Sequence, residues 1–255
     1  MEIDIKSDLK EYISIFRKAY EQEMTESDTS LRVSKFLENV LKYDLFTEVS
    51  REHRIKSRYV DYAIKVDDKV HFFIEVKQAS LALKERHVEQ AGNYAANAGV
   101  HWILLTNGKN WNMYHLTFDE GIQISLVWSI NILEGDIKDS IEKLSMLHRK
   151  NIKKGILKDY FNKRQALSPK MIIQSIFHED ILHTICLHLK KSSGIKVDIE
   201  ELAESIKDMV SKETWETIGG IKIIKKTQNP KPSKQPNEDQ VKETINQGEN
   251  VLAID

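Results

Sequence analysis

The chain has 255 residues, 40% of them apolar and 30% charged, so it can bury a sizeable core and remain well solvated. Its formal net charge of -1 excludes a globally basic nucleic-acid binder and leaves only a local basic patch for that role. A single cysteine, Cys186, excludes an internal disulfide framework, and no apolar window of about 18 residues predicts a membrane span.

The opening stretch MEIDIKSDLKEY lacks the apolar run of a signal peptide, so the expected compartment is a reducing cytoplasm. Leu9, Tyr12, Ile13, Phe16 and Tyr20 recur at helical spacing and predict a first helix between Ile5 and Met24. A second helix is expected to begin at a cap in ESDTS and run through LRVSKFLENVLKY. Its stripe of Leu31, Phe36, Leu37, Val40 and Leu41 faces a core, with Glu38 beside it. The period then changes from helical to alternating. Phe46 to Arg51, Tyr59 to Val66 and Val70 to Lys77 read as strands. A helix from about Leu83 to Ala98 follows, with Val88, Ala91, Ala95 and Ala98 on one side. HWILLTN suits a buried strand, Asn107-Gly108 marks a turn, and WNMYHL returns as its partner. A further strand is expected around Ile122 to Trp128.

This order predicts an α/β fold, a mixed central sheet flanked by helices, over residues 1–134. Five short helical patterns between Ile137 and Val210 predict a helical C-terminal region, residues 135–225. Cys186 falls inside one of them and reads as a packing residue. Residues 226–255 hold three of the four prolines and almost no aromatics, so they are expected to form a disordered tail.

The stretch YVDYAIKVDDKVHFFIEVKQAS places charges inside two apolar strands. With Asp67-Asp68-Lys69 as a three-residue loop, Val66 lies opposite Val70 and Asp61 opposite Glu75. Alternation puts Asp61, Glu75 and Lys77 on one face. Two facing carboxylates repel unless a cation lies between them or one is protonated. The same pattern also reads as the solvent face of a half-exposed sheet. The apolar runs HFFIEV and HWILLTN argue for strands covered on both sides, where a charge needs a partner.

Asp61 followed by Glu75-Val76-Lys77 resembles the D-x(n)-E-x-K signature of the PD-(D/E)xK nuclease superfamily, with Val60 where that family usually has proline. Gln90-Ala91-Gly92-Asn93-Tyr94 is similar to the Q-x-x-x-Y motif of nucleases resembling RecB and of type I restriction R subunits. GVHWILLTNGKNWNMYHL resembles the strand-turn-strand after that motif in the N-terminal nuclease domain of those subunits. The resemblance covers roughly Leu31 to Trp128 and implies a restriction-endonuclease-like core. No G-x-x-x-x-G-K-[ST] phosphate loop accompanies it, so the resemblance implies a nuclease module without its own motor.

Carried over residue by residue, it implies Mg²⁺ or Mn²⁺ on Asp61 and Glu75, helped by the Val76 carbonyl, with Lys77 assisting the attacking water. Glu38 would add a carboxylate, or be a solvated helix residue. Gln90 and Tyr94 would position the metal site or the strand, or simply pack a helix on the sheet. Arg51, Arg54, Lys56 and Arg58 form a local basic stretch that would contact phosphates, or lie in an ordinary exposed loop. The implied activity is a metal-dependent DNA endonuclease of restriction or phage-defence type. A binding module with little turnover and an RNA-directed nuclease are the alternatives. The resemblance leaves open a separate motor, methyltransferase or specificity subunit as partner, and a homodimer.

Overall fold

A computed structural model of the chain describes residues 3–55, 58–118 and 121–225. It divides into two compact units, Met1–Gln165 and Ala166–Asp255. The first opens with helices α1 (Lys6–Glu21) and α2 (Glu26–Asn39). Strands β1 (Val49–Ile55), β2 (Arg58–Val66) and β3 (Lys69–Val76) follow, then α3 (Glu85–Ala98), then β4 (Trp102–Thr106), β5 (Asn110–Thr117) and β6 (Gln123–Asn131). The six strands lie in one sheet in chain order, and every pairing is antiparallel except β3 with β4. α3 is the crossover that a parallel pair requires. The expected mixed α/β sheet with flanking helices is therefore present.

Both faces of the sheet are covered. On one, Tyr62, Ile64, Phe72, Ile74 and Val76 pack with Phe16 of α1 and Phe36 of α2. On the other, Ala63, Phe73, Ile103 and Leu105 pack with Val88, Ala91, Tyr94 and Ala95 of α3. Double coverage explains why HFFIEV and WILLT read as near-continuous apolar runs. Trp111 anchors the first face edge-on to Phe16, with ring centroids 5.8 Å apart. Gly108 makes that approach possible. Its φ is +83°, and a Cβ there would stand 2.5 Å from the Phe16 ring.

Two assignments made from periodicity, one helical and one of strand type, do not hold in detail. Leu31 is 51% exposed and faces away from the core. Phe46 is 96% exposed in a turn before β1, so that strand starts three residues later than its alternation suggests.

Helices α4 (Ile137–Met146), α5 (Arg149–Lys153) and α6 (Ile156–Ala166) add Leu144, Leu147, Ile152 and Leu157 to the first core. The Tyr43 hydroxyl donates to the Leu147 carbonyl at 2.6 Å, and Arg149 pairs with Glu48. The second unit holds α7 (Pro169–Ile176), α8 (Glu179–Ser193), α9 (Ile199–Met209) and α10 (Lys212–Thr217). Its own small core contains Ile173, Phe177, Leu182, Leu202 and Ile206, with Cys186 buried among them as a packing residue. The segment read as a tail, 226–255, lies outside the described residues. Among the described residues no helix is long and apolar enough to cross a membrane.

Candidate active site

The β2–β3 hairpin brings the charges together. Asp67 and Asp68 both have positive φ, +50° and +59°, and form a two-residue turn with Val66 opposite Lys69. The loop is thus one residue shorter than the spacing suggests. A bulge compensates: Lys65 pairs with Val70, but Ile64 pairs with Phe72, leaving His71 as the extra residue. From there Ala63 pairs with Phe73 and Tyr62 with Ile74. Continuing that register by one residue sets Asp61 beside Glu75, the alignment expected from the longer loop.

Glu75 is only 5% exposed, on the face covered by α3. Burial, then the Asp61 carboxylate, pushes its pKa up to about 7 against the relief that Lys77 gives. Asp61 Oδ2 accepts the Val76 backbone N–H at 2.6 Å, which fixes its carboxylate at the end of β3. Lys77 Nζ donates to Glu75 Oε1 at 2.6 Å and stands 3.5 Å from Glu26 Oε1. Burial works against the Lys77 charge. The hydrogen bond to Glu75 and the fields of Glu75, Glu26 and Asp61 outweigh it and raise its pKa. Lys77 is therefore an ammonium at neutral pH.

Glu26 is a neighbour of this cluster that sequence reasoning missed. It is the first residue of α2, after the cap Thr25, whose hydroxyl oxygen accepts the Asp28 N–H. Two bonds pin this helix start against the segment after β3: Ala79 N–H to the Met24 carbonyl, and Gln78 Nε2 to the Glu23 carbonyl. Tyr62 adds a third, donating to the Ser30 carbonyl at 2.7 Å. The sequence did hold the signal T-x-x-D for a cap at Thr25. Nothing local tells that the helix start meets the end of β3.

Glu38 does not join the site. It pairs with Lys35 at 2.7 Å on the exposed side of α2, so the carboxylate supplied by this helix is Glu26 instead. Tyr94 is buried in the cluster between α3 and the sheet. The Gln90 side chain lies outside the described residues. His87, in the first turn of α3, accepts the Lys84 N–H and is close enough to feel Lys77 and Glu26. Arg51 is exposed on β1 and pairs in register with Tyr62, one residue from Asp61. Lys56 lies outside the described residues, as do the side chains of Arg54 and Arg58, whose backbones belong to the β1–β2 hairpin.

Among the described residues no cluster of three His, Cys, Asp or Glu side chains stands ready for a metal. Two carboxylates and a carbonyl at one strand end are a poor set for zinc. They suit Mg²⁺, which commonly takes one or two carboxylates and keeps its waters.

The site is thus an α/β sheet with two facing carboxylates and a lysine at the carboxyl end of its parallel pair. The family model of the type I restriction enzyme R protein N terminus (HSDR_N) matches residues 32–126, a little over a third of the chain. That span runs from within α2 into β6 and contains Asp61, Glu75, Lys77, Gln90 and Tyr94. The match therefore takes in β1 to β5 and the first residues of β6. No curated protein and no solved structure matches the chain.

Proposed function

We propose that the chain hydrolyses phosphodiester bonds of DNA with Mg²⁺, or Mn²⁺, held by Asp61, Glu75 and the Val76 carbonyl. The observation that carries this reading is the buried Glu75 beside Asp61, with Lys77 hydrogen-bonded to it. When bound, the cation supplies a Lewis acid for the scissile phosphate and a more acidic water.

The protein groups divide the remaining work. Asp61, held by the Val76 N–H, and Glu75 present oxygens to one point. An ionised Glu75 is costly in its buried setting and is stabilised by any cation placed there. Lys77, being an ammonium, is no base for water. It orients a water or phosphate oxygen by donating to it and offsets the negative charge that develops. Glu26 holds that ammonium from the opposite side. Tyr94 acts by fixing α3 against the sheet, with Gln90 one turn before it, whereas Arg51, opposite Tyr62, lies on the other face of the sheet from the carboxylate pair. A restriction role, with DNA and a separate motor, methyltransferase or specificity subunit as partners, accords with the family matched.

A second reading has one observation in its favour. Lys77 already supplies a protein-borne cation to Glu75, as a binding platform with little turnover would need.

The test is cleavage of supercoiled plasmid, linear duplex and single-stranded DNA, with an RNA control, in Mg²⁺, Mn²⁺ or EDTA. Metal-dependent cleavage is expected, with Glu75→Gln inactive and Lys77→Ala slowed by ~10²-fold or more. Cleavage of RNA alone would redirect the substrate assignment. No cleavage in any condition, with no Mg²⁺ binding by calorimetry, would overturn the nuclease and leave the platform. Mg²⁺ binding that Glu75→Gln abolishes, without cleavage, would point to a missing partner.

A further inference from the structure

A second feature lies at the other end of the same strands. β3 begins at Lys69 and β4 at Trp102, and around these starts opens a cleft of about 720 Å³ within the first unit. That volume falls in the ~300–1,000 Å³ range of small-molecule sites. Lys69 stands six residues before Glu75 on β3, about 20 Å away at ~3.3 Å per residue. The cleft is therefore separate from the carboxylate pair.

Its walls are planar rings in a row. His115 stacks on Phe161 with centroids 4.1 Å apart and meets Trp102 edge-on at 4.6 Å. His101 lies parallel to His115 at 5.9 Å. The His101 Nδ1 donates to the Leu116 carbonyl at 2.9 Å, which holds the ring in place. Burial, then His101, pushes the His115 pKa down to about 4, so its ring is neutral at physiological pH. The β3 bulge adds His71 to the lining.

The charge around the rings is one-sided. Three lysines, Lys69, Lys153 and Lys158, line the cleft, and among the described residues no Asp or Glu does. In a chain with 39 acidic residues against 38 basic ones, that is a local departure from the average. Lys153 is matched by Asp67 at 2.8 Å. Lys69 and Lys158 make no ion pair with a described residue. Stacking rings beside ammonium groups is the chemistry that recognises a base joined to a phosphate.

We propose that this cleft binds a nucleotide, its base against the His101–His115–Phe161 row and its phosphate at Lys69 and Lys158. The inference does not rest on the phosphodiesterase reading. The same chemistry is offered by a free mononucleotide and by the phosphorylated end of a single strand, and the test separates them.

Trp102 in the wall provides a fluorescence signal. The full chain is titrated with AMP, ATP, adenosine, inorganic phosphate and a 5′-phosphorylated single-stranded oligonucleotide. Saturable quenching by AMP or ATP is expected, with adenosine and phosphate each weaker. The double variant Lys69→Glu/Lys158→Glu, both exposed positions, should lose affinity by roughly tenfold or more, the effect of removing charge-assisted bonds. Glu75→Gln should bind as the parent does. Competition by the oligonucleotide would identify a strand end as the source, and its absence a free nucleotide. No saturation at ~1 mM of any phosphate-bearing probe would overturn the proposal. So would quenching that the double variant leaves unchanged.

Discussion

Glu75 carries two opposed demands. The fold buries it beside Asp61, which favours its neutral form, whereas a cation site needs it charged. Without metal the cost falls on stability, and its sign is fixed. Below the ordinary carboxylate pKa of 4.5 the group is protonated in both folded and unfolded chains and contributes nothing. Between pH 4.5 and about 7 the unfolded chain ionises this carboxylate while the folded chain keeps it protonated, so stability falls across that window and stays lower above it. Glu75→Gln in EDTA is therefore expected to stabilise the chain by about 3 kcal/mol at pH 8 and not at all near pH 4.5. Urea unfolding at both pH values checks this, and an equal gain at both would refute it. The site was legible in the sequence where it is local to one hairpin: Asp61, Glu75 and Lys77. Glu26 was not legible, because it arrives through the packing of the α1–α2 turn on the segment after β3. Glu38 was a candidate through the family resemblance, and in the structure it pairs with Lys35.

At the scale of elements, periodicity located both opening helices, the crossover helix and the sheet strands, because double burial writes apolar runs into the sequence. It did not locate the bulge. Turn length and bulge each shift the register by one residue, in opposite senses, so the pairing of Asp61 with Glu75 survives for a reason the alternation could not reveal. Asp68 sits at φ +59°, where an L side chain crowds its own backbone. Asp68→Gly should raise the urea midpoint by an amount equivalent to about 1 kcal/mol with an unchanged slope, since glycine adopts this conformation freely. A lowered midpoint would mean that the Asp68 carboxylate does more than occupy a turn.

For the molecule as a whole, composition suggested that the sheet domain ends near residue 134, where the helical pattern begins. The helical pattern continues across the point at which the structure divides, after Gln165, so periodicity alone carries no mark of it. Leu144, Leu147, Ile152 and Leu157 are all at least 94% buried against the sheet-side core. A fragment of residues 1–165 is expected to unfold cooperatively, whereas 1–134 loses four buried aliphatic anchors, each worth ~2 kcal/mol or more, and should not. Thermal unfolding of both fragments followed by circular dichroism decides it. A cooperative 1–134 would show the three helices to be dispensable. The sheet order has a further consequence. Each strand pairs with the next one synthesised, and in every pair but one that partner follows after a short connection. β3 ends at Val76 and waits for β4, which begins only at Trp102. In that interval KVHFFIEVK shows a bare edge of the kind that joins one nascent chain to another. Charges inside such a run oppose self-association. Glu75, whose charge the finished fold disfavours, and Lys77 beside it thus also oppose aggregation of the emerging chain before it is complete.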